Sequence, residues 1–190
     1  MSGGSNGSLT PPVGKRDHVQ GPSSAAVTLV EYGDYQCPFC GDVQSIIKKL
    51  QTHFGGQLRF VFRNFPQARV HAYAERAAEA AEAAGAQGKF WEMHDYLYEH
   101  QEALDAENLV QAAIALELDK VKFDQAVAER VYADRVRQDL QSGIDSGVGG
   151  TPTVFINGVR NDDNDDFETL KAKIDEAIML SKASKGKNRS

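Results

Sequence analysis

Cysteine is almost absent from this chain. Its 190 residues hold two, and both lie within Cys37-Pro38-Phe39-Cys40. A disulfide between them closes a very short loop, the least stabilising kind of cross-link on the chain-entropy argument. The fold must therefore rest on its hydrophobic core, which leaves the pair free to cycle. The same scarcity argues against a structural zinc site. Such a site needs four ligands, there is no second cysteine pair, and His18, His53, His71, His94 and His100 are scattered. Positive charge is also short: a formal charge of −6 provides no basic surface for a broad nucleic-acid footprint. No apolar run reaches the length of a transmembrane helix. Residues 1–10 lack the basic start and apolar centre of a signal peptide. As it stands the chain reads as cytoplasmic, or as periplasmic or extracytoplasmic if an export signal has been removed. No internal repeat of fixed period is visible.

The length suits one sizeable core, or one domain carrying a large insertion. Residues 1–24 are rich in Gly, Ser and Pro and show no apolar period, so they are expected to form a flexible arm. Residues 25–32 are apolar and β-branched, as in a strand buried on both faces. Gly33 to Gln36 make a tight connection. Val43, Ile46, Ile47 and Leu50 then recur at helical spacing until Gly55-Gly56. Leu58 to Phe62 is a second strand, ended by Asn64-Phe65-Pro66, which completes a βαβ unit.

Residues 67–146 change character. Ala/Glu-rich and large-apolar stripes follow one another, and they predict four or five short helices packed as an inserted all-helical subdomain. β character returns at Thr153-Val154-Phe155-Ile156, closed by Asn157-Gly158, a strong hairpin-turn signal. A final helix carries Leu170, Ile174, Ala177 and Ile178 on one face and is expected to end near Leu180. Residues 183–190 form a basic tail. The predicted fold class is α/β, with residues 25–66 and 147–182 forming one discontinuous domain.

Thiol–disulfide exchange needs one thiolate to attack and a second thiol close enough to resolve the mixed disulfide. A Cys-x-x-Cys opening a helix meets both needs. Cys37 at the N-cap is favoured as an anion by unpaired N–H groups and the helix dipole, while Cys40 lies a turn deeper. Pro38 suits the first helical position, where a missing N–H costs nothing. Glu31 is a carboxylate inside an apolar strand, and burying it is costly without a task or a partner. Placed beneath the cysteines, it could take up the proton of Cys40 when the mixed disulfide is resolved. Pro152 suits a turn before its strand; on the residues alone, a trans bond is the expectation. Trp91, Met93, Tyr96 and Tyr98 read as core, whereas Phe39 is expected to be exposed beside the sulfur. The Asp/Asn-rich residues 161–166 lack the spaced ligands of a calcium loop.

Glu31, Cys37-Pro38-Phe39-Cys40 and Gly150-Thr151-Pro152-Thr153-Val154-Phe155-Ile156-Asn157-Gly158, in that order around a helical block, resemble the DsbA-like branch of the thioredoxin superfamily. Val30 to Asp34 and Gly88 to His94 are similar to bacterial members too. The resemblance covers residues 17–180. It implies a thioredoxin-like fold, a central mixed sheet flanked by helices, with the helical insert and a cis Pro152. It implies Cys37 as nucleophile, Cys40 as resolving thiol, Glu31 as buried acid, and Thr151 as contact to substrate backbone, beside Pro38, Phe39 and Pro152. The redox centre would be the Cys37–Cys40 disulfide itself, with no other cofactor. Partners would be protein or peptide thiols and disulfides, together with a redox partner protein. Isomerase or reductase activity, or a non-redox peptide-binding module, are the alternative functions. Two departures bear on direction. Phe39 stands where the exported oxidant of the family has histidine and cannot donate to sulfur, so a less depressed Cys37 pKa and a less oxidising couple are expected. Thr151 stands where that oxidant has valine, and resembles isomerase-type relatives.

Overall fold

Three strands of alternating or continuous apolar character build the middle of the sheet, and its two edge strands come from segments with no such pattern. The computed structural model describes residues 7–187, with side chains through 184. β1 (His18–Gln20) precedes β2 (Val27–Gly33), α1 (Pro38–Phe54) and β3 (Leu58–Asn64). Five helices follow: α2 (Ala74–Gly85), α3 (Phe90–Glu99), α4 (Ala106–Ala115), α5 (Lys120–Ala128) and α6 (Ala133–Asp145). The chain returns through β4 (Thr153–Ile156) and β5 (Val159–Arg160) to α7 (Phe167–Lys187).

The strand order is β1-β3-β2-β4-β5. β2 is central, parallel to β3 and antiparallel to β4, while β1 and β5 are antiparallel edges. Helices α2 to α6 thus form an all-helical insertion between β3 and β4, where 67–146 was expected to supply one. Asn157 and Gly158 both take positive φ, 49° and 82°, which the two-residue turn between β4 and β5 requires.

Because strand side chains alternate, β2 feeds two cores. Val27 and Leu29 face the larger one, shared with Cys40, Val43, Ile47 and Leu50 of α1, Met93 and Leu97 of α3, and Ile174 of α7. Val30 and Tyr32 face the smaller one, with Val61, Phe65 and Phe155. Glu31 lies on the first face, in register with Phe62 and Val154. Met93 is fully buried and Tyr98 is nearly so, while Trp91 and Tyr96 pack against the same core from its edge. The aromatic stripe of α3 is therefore structural.

Two expectations are corrected. Within residues 7–24 the arm is folded onto the sheet: β1 pairs with β3, Ser8 bridges to Val159, and Leu9 is buried. Residues 1–6 lie outside the described residues. The anchor is polar, which is why an apolar period does not reveal it. Asp17 accepts from Arg63 Nε at 2.8 Å and Nη2 at 3.1 Å, and both side chains are fully buried. Arg63 also donates to the Tyr32 hydroxyl at 2.9 Å. Removing one partner of a buried pair leaves the other charge uncompensated, so Asp17→Ala is expected to destabilise the fold by about 3 kcal/mol, read by thermal unfolding. The second correction concerns α7, which continues past Leu180 to Lys187 and takes in much of the expected basic tail; residues 188–190 lie outside the described residues.

Candidate active site

Cys37 is the N-cap of α1 and Pro38 is its first residue. The turn before it is tied locally, because the Cys37 N–H donates to Asp34 O at 3.1 Å, while Cys37 O accepts from Cys40 and Gly41. No acidic residue occupies the first turn of α1, so no nearby carboxylate in that turn opposes an anion at its start. The structure holds both cysteines as free thiols. Cys37 is 4% exposed and Cys40 is sealed. Their chemistry divides accordingly. A hydrogen bond from the Cys40 thiol, helped by the N–H groups of Cys40 and Phe39 and by the Thr151 hydroxyl, lowers the Cys37 pKa to about 5 despite burial. Burial pushes the Cys40 thiol far up, reinforced by its bond to Cys37 and by the charge of Glu31. Phe39, 70% exposed, turns its ring to solvent beside the motif.

Glu31 lies on the face of β2 that packs against α1, and it is fully buried. Neither carboxylate oxygen finds a hydrogen-bond partner among the described residues. Burial, then the charges of Asp165 and Cys37, raise its pKa well above 4.5. Tyr98 brings a second buried polar group without a hydrogen-bond partner among the described residues. Gly33 makes room for both: a Cβ there would meet the Phe62 ring at 2.5 Å, the Tyr98 hydroxyl at 2.7 Å and Glu31 Oε1 at 3.0 Å. The protein thus keeps a protonatable acid, electrostatically coupled to both sulfurs, in a largely apolar pocket.

The loop before β4 closes the site. The Thr151–Pro152 peptide bond is cis, and Thr151 O accepts from the Cys37 thiol at 3.5 Å. Cys37, Cys40, Pro38, Phe39, Thr151, Pro152 and Glu31 therefore gather around one end of the sheet and the start of α1.

Sequence reasoning missed the groups that hold this arrangement. Asp34 is buried and accepts at Oδ1 from the Gln36 N–H, and at Oδ2 from the Gln67 N–H and His71 Nδ1, all at 2.8 Å. Gln67 Nε2 donates to Thr151 Oγ1 at 2.6 Å. Gln101 Nε2 donates to Tyr35 O and Cys37 O, both at 2.8 Å. Asp34, three residues before Cys37, had a local signal as a turn-forming Asx residue. Gln67 and Gln101 had none, because they reach the motif from 30 and 64 residues away in the chain.

These features can be set beside known proteins. The family model described as Thioredoxin matches residues 14–176. The chain belongs to the thioredoxin family. Within it, this chain shares its fold with DsbA-like structures. It is 26% identical to BdbD from Bacillus subtilis, with a TM-score of 0.79 over 86% of this chain and 94% of BdbD. Alpha-DsbA1 from Wolbachia pipientis shares the fold at 18% identity, with a TM-score of 0.78 over 95% and 99% of the two chains. A different context appears among curated relatives. The thioredoxin-family chain is 46% identical over 163 residues to a Na(+)/H(+) antiporter NhaA 1 from Salinispora arenicola, covering 86% of this chain and 25% of that protein. It thus spans about a quarter of the length of the curated relatives it matches. Among the described residues no helix is long and apolar enough to cross a membrane.

Proposed function

We propose that the chain oxidises protein thiols by disulfide exchange through Cys37 and Cys40. The observation that carries this reading is the asymmetry of the pair: one thiol lowered to about 5 and 4% exposed, the other raised and sealed beneath it. A stabilised Cys37 thiolate favours the dithiol form and so makes the disulfide form electron-accepting. In the forward direction a substrate thiolate attacks Cys37 Sγ and the Cys37–Cys40 bond breaks. Cys40 leaves and takes a proton from Glu31, whose raised pKa keeps it protonated for that purpose. A second substrate thiolate then attacks the substrate sulfur of the mixed disulfide and expels Cys37 as a stable thiolate. Two substrate thiols become one disulfide, and the two electrons remain on the dithiol. Isomerase and reductase activities run the same steps in other orders, with Glu31 receiving the Cys40 proton on the reverse path.

Protein substrates fit the rim of the site. Phe39, Val70 and Tyr73 are 70%, 72% and 45% exposed, and Tyr73 is tied to the motif by its N–H bond to Gln36 Oε1. Phe39 makes no buried contact worth keeping, so Phe39→Ser should leave stability within about 0.5 kcal/mol of the parent. It should raise KM for an unfolded, reduced protein while leaving exchange with a small-molecule disulfide unchanged. Steady-state kinetics with both substrates test this. The function itself is tested by mixing the disulfide form with a reduced, unfolded protein that needs a disulfide to fold. The expected result is one substrate disulfide formed per chain reduced, read by mass spectrometry. Recovery of substrate folding without loss of the Cys37–Cys40 disulfide would instead favour a peptide-binding module.

A further inference from the structure

We infer that Gln67 is a positioning residue for the Cys37 thiolate, turning the Thr151 hydroxyl so that its proton points at Sγ. The inference rests on Cys37 being the attacking thiolate and names a residue through which that thiolate is tuned. A hydroxyl has one proton and two lone pairs, and its rotation decides what it donates to. At Thr151 one lone pair is taken by Gln67 Nε2 at 2.6 Å. An N–H on that side leaves the hydroxyl proton no acceptor in the amide nitrogen. The Thr151 carbonyl places this residue against the sulfur at 3.5 Å, and its hydroxyl favours the ionised form, so the turned proton is directed to Sγ.

Thr151 thus serves both protonation states of Cys37 with different oxygens. Its carbonyl accepts from the neutral thiol at 3.5 Å. Once the sulfur is an anion that bond has no proton, and the hydroxyl takes over. Bonds to a charged acceptor are the strong ones, and a donor polarised by a second donor behind it is stronger still.

Gln67 is itself held in place. Its backbone N–H is fixed to Asp34 Oδ2 at 2.8 Å, and His71 Nδ1 shares that oxygen. Asp34 also fixes the Gln36 N–H, and through its carbonyl the Cys37 N–H. One buried carboxylate therefore registers the β3–α2 connection against the turn that leads into α1. The amide of Gln67 spans the remaining gap to the loop before β4. The titratable groups facing the sulfur or its scaffold are Cys40, Glu31, Asp34 and His71. All four are retained in every variant below.

The test is the pH dependence of Cys37 alkylation in the reduced chain, together with its reduction potential against a glutathione buffer. Gln67→Met keeps the shape and removes the donor. It is expected to raise the Cys37 midpoint by roughly one pH unit, a tenfold loss of thiolate stability. The same tenfold change makes the couple about 30 mV more reducing. Gln67→Glu, which offers the hydroxyl an acceptor in place of a donor, should raise the midpoint further. In a Thr151→Val background, Gln67→Met should have no added effect; in a Thr151→Ser background its effect should persist. A Gln67→Met midpoint equal to the parent's, or one displaced equally with and without the hydroxyl, would overturn the inference. All readouts come from chains with a cooperative melt, so a merely structural role, which would lower the melt and leave the midpoint in place, is also visible. A parent chain with an ordinary thiol midpoint at Cys37 would overturn the proposed function itself.

Discussion

Cys37→Ser is expected to abolish disulfide exchange with protein thiols, bringing the rate to the uncatalysed background. Cys40→Ser is expected to leave the chain covalently attached to its substrate. The difference follows from burial and ionisation. Cys37 keeps 4% of its surface exposed, its pKa is lowered to about 5, and it stands at the helix N-terminus. A serine hydroxyl at that place is not ionised at neutral pH and forms no disulfide, so no other group of the motif can replace the sulfur. Cys40 is fully buried and its thiol is pushed up, which makes it a poor first attacker but a well-placed resolving group. Without it, a mixed disulfide at Cys37 has no internal route to release. Mass spectrometry of each variant after incubation with a disulfide-containing protein reads both outcomes. An adduct on Cys40 in the Cys37→Ser chain would reverse the assignment of roles. The alkylation midpoint of parent Cys37 belongs to the same experiment and is expected near pH 5. Cys40→Ala removes the leading donor to that thiolate and should move the midpoint upward.

The parts of this protein that were legible in advance share a local cause. Strand β2, helix α1 and the Asn157-Gly158 turn are set by residues adjacent in the chain, so periodicity and turn chemistry reveal them. Cys37 and Cys40 are legible for the same reason: a helix start and two thiols one turn apart lie in a single tetrapeptide. Glu31 stood out because a carboxylate broke an apolar run, and its place follows from strand alternation alone. What was not legible is held by long-range polar bonds. Residues 7–24 look like a linker because their main anchor is the Asp17–Arg63 pair, 46 residues apart, and not an apolar face. Gln67 and Gln101 are ordinary polar residues until the fold delivers their amides to Thr151 and to the Cys37 carbonyl. Such bonds have no sequence period. They also separate the two halves of the site: the sulfurs are written in one motif, and the scaffold that sets their acidity is spread over the β3–α2 connection, the end of α3 and the loop before β4.

Glu31→Gln is expected to slow exchange about 10- to 100-fold between pH 6 and 8, while making stability less sensitive to rising pH. The kinetic effect comes from the sealed position of Cys40. As a leaving thiolate in an apolar pocket it needs a proton at once, and the Glu31 carboxyl is the acid beside it. An amide of the same shape has no proton to give. The stability effect has the opposite origin. The folded-state pKa of Glu31 is raised well above 4.5, chiefly by burial. Between the unfolded value and the raised one the native state holds more protons than the unfolded chain, so stability falls as pH rises through that window. The slope is about 1.4 kcal/mol per pH unit wherever the difference is a full proton. Glutamine removes it. Denaturant unfolding of the reduced parent and variant, compared from pH 5 to pH 8, should therefore show the variant gaining on the parent as pH increases. A parallel pair of stability curves would mean that Glu31 is not held protonated, and the proton for Cys40 would have to come from elsewhere. A slow variant with the expected divergence in stability would identify one buried carboxyl as the group that both weakens the fold at neutral pH and releases Cys40.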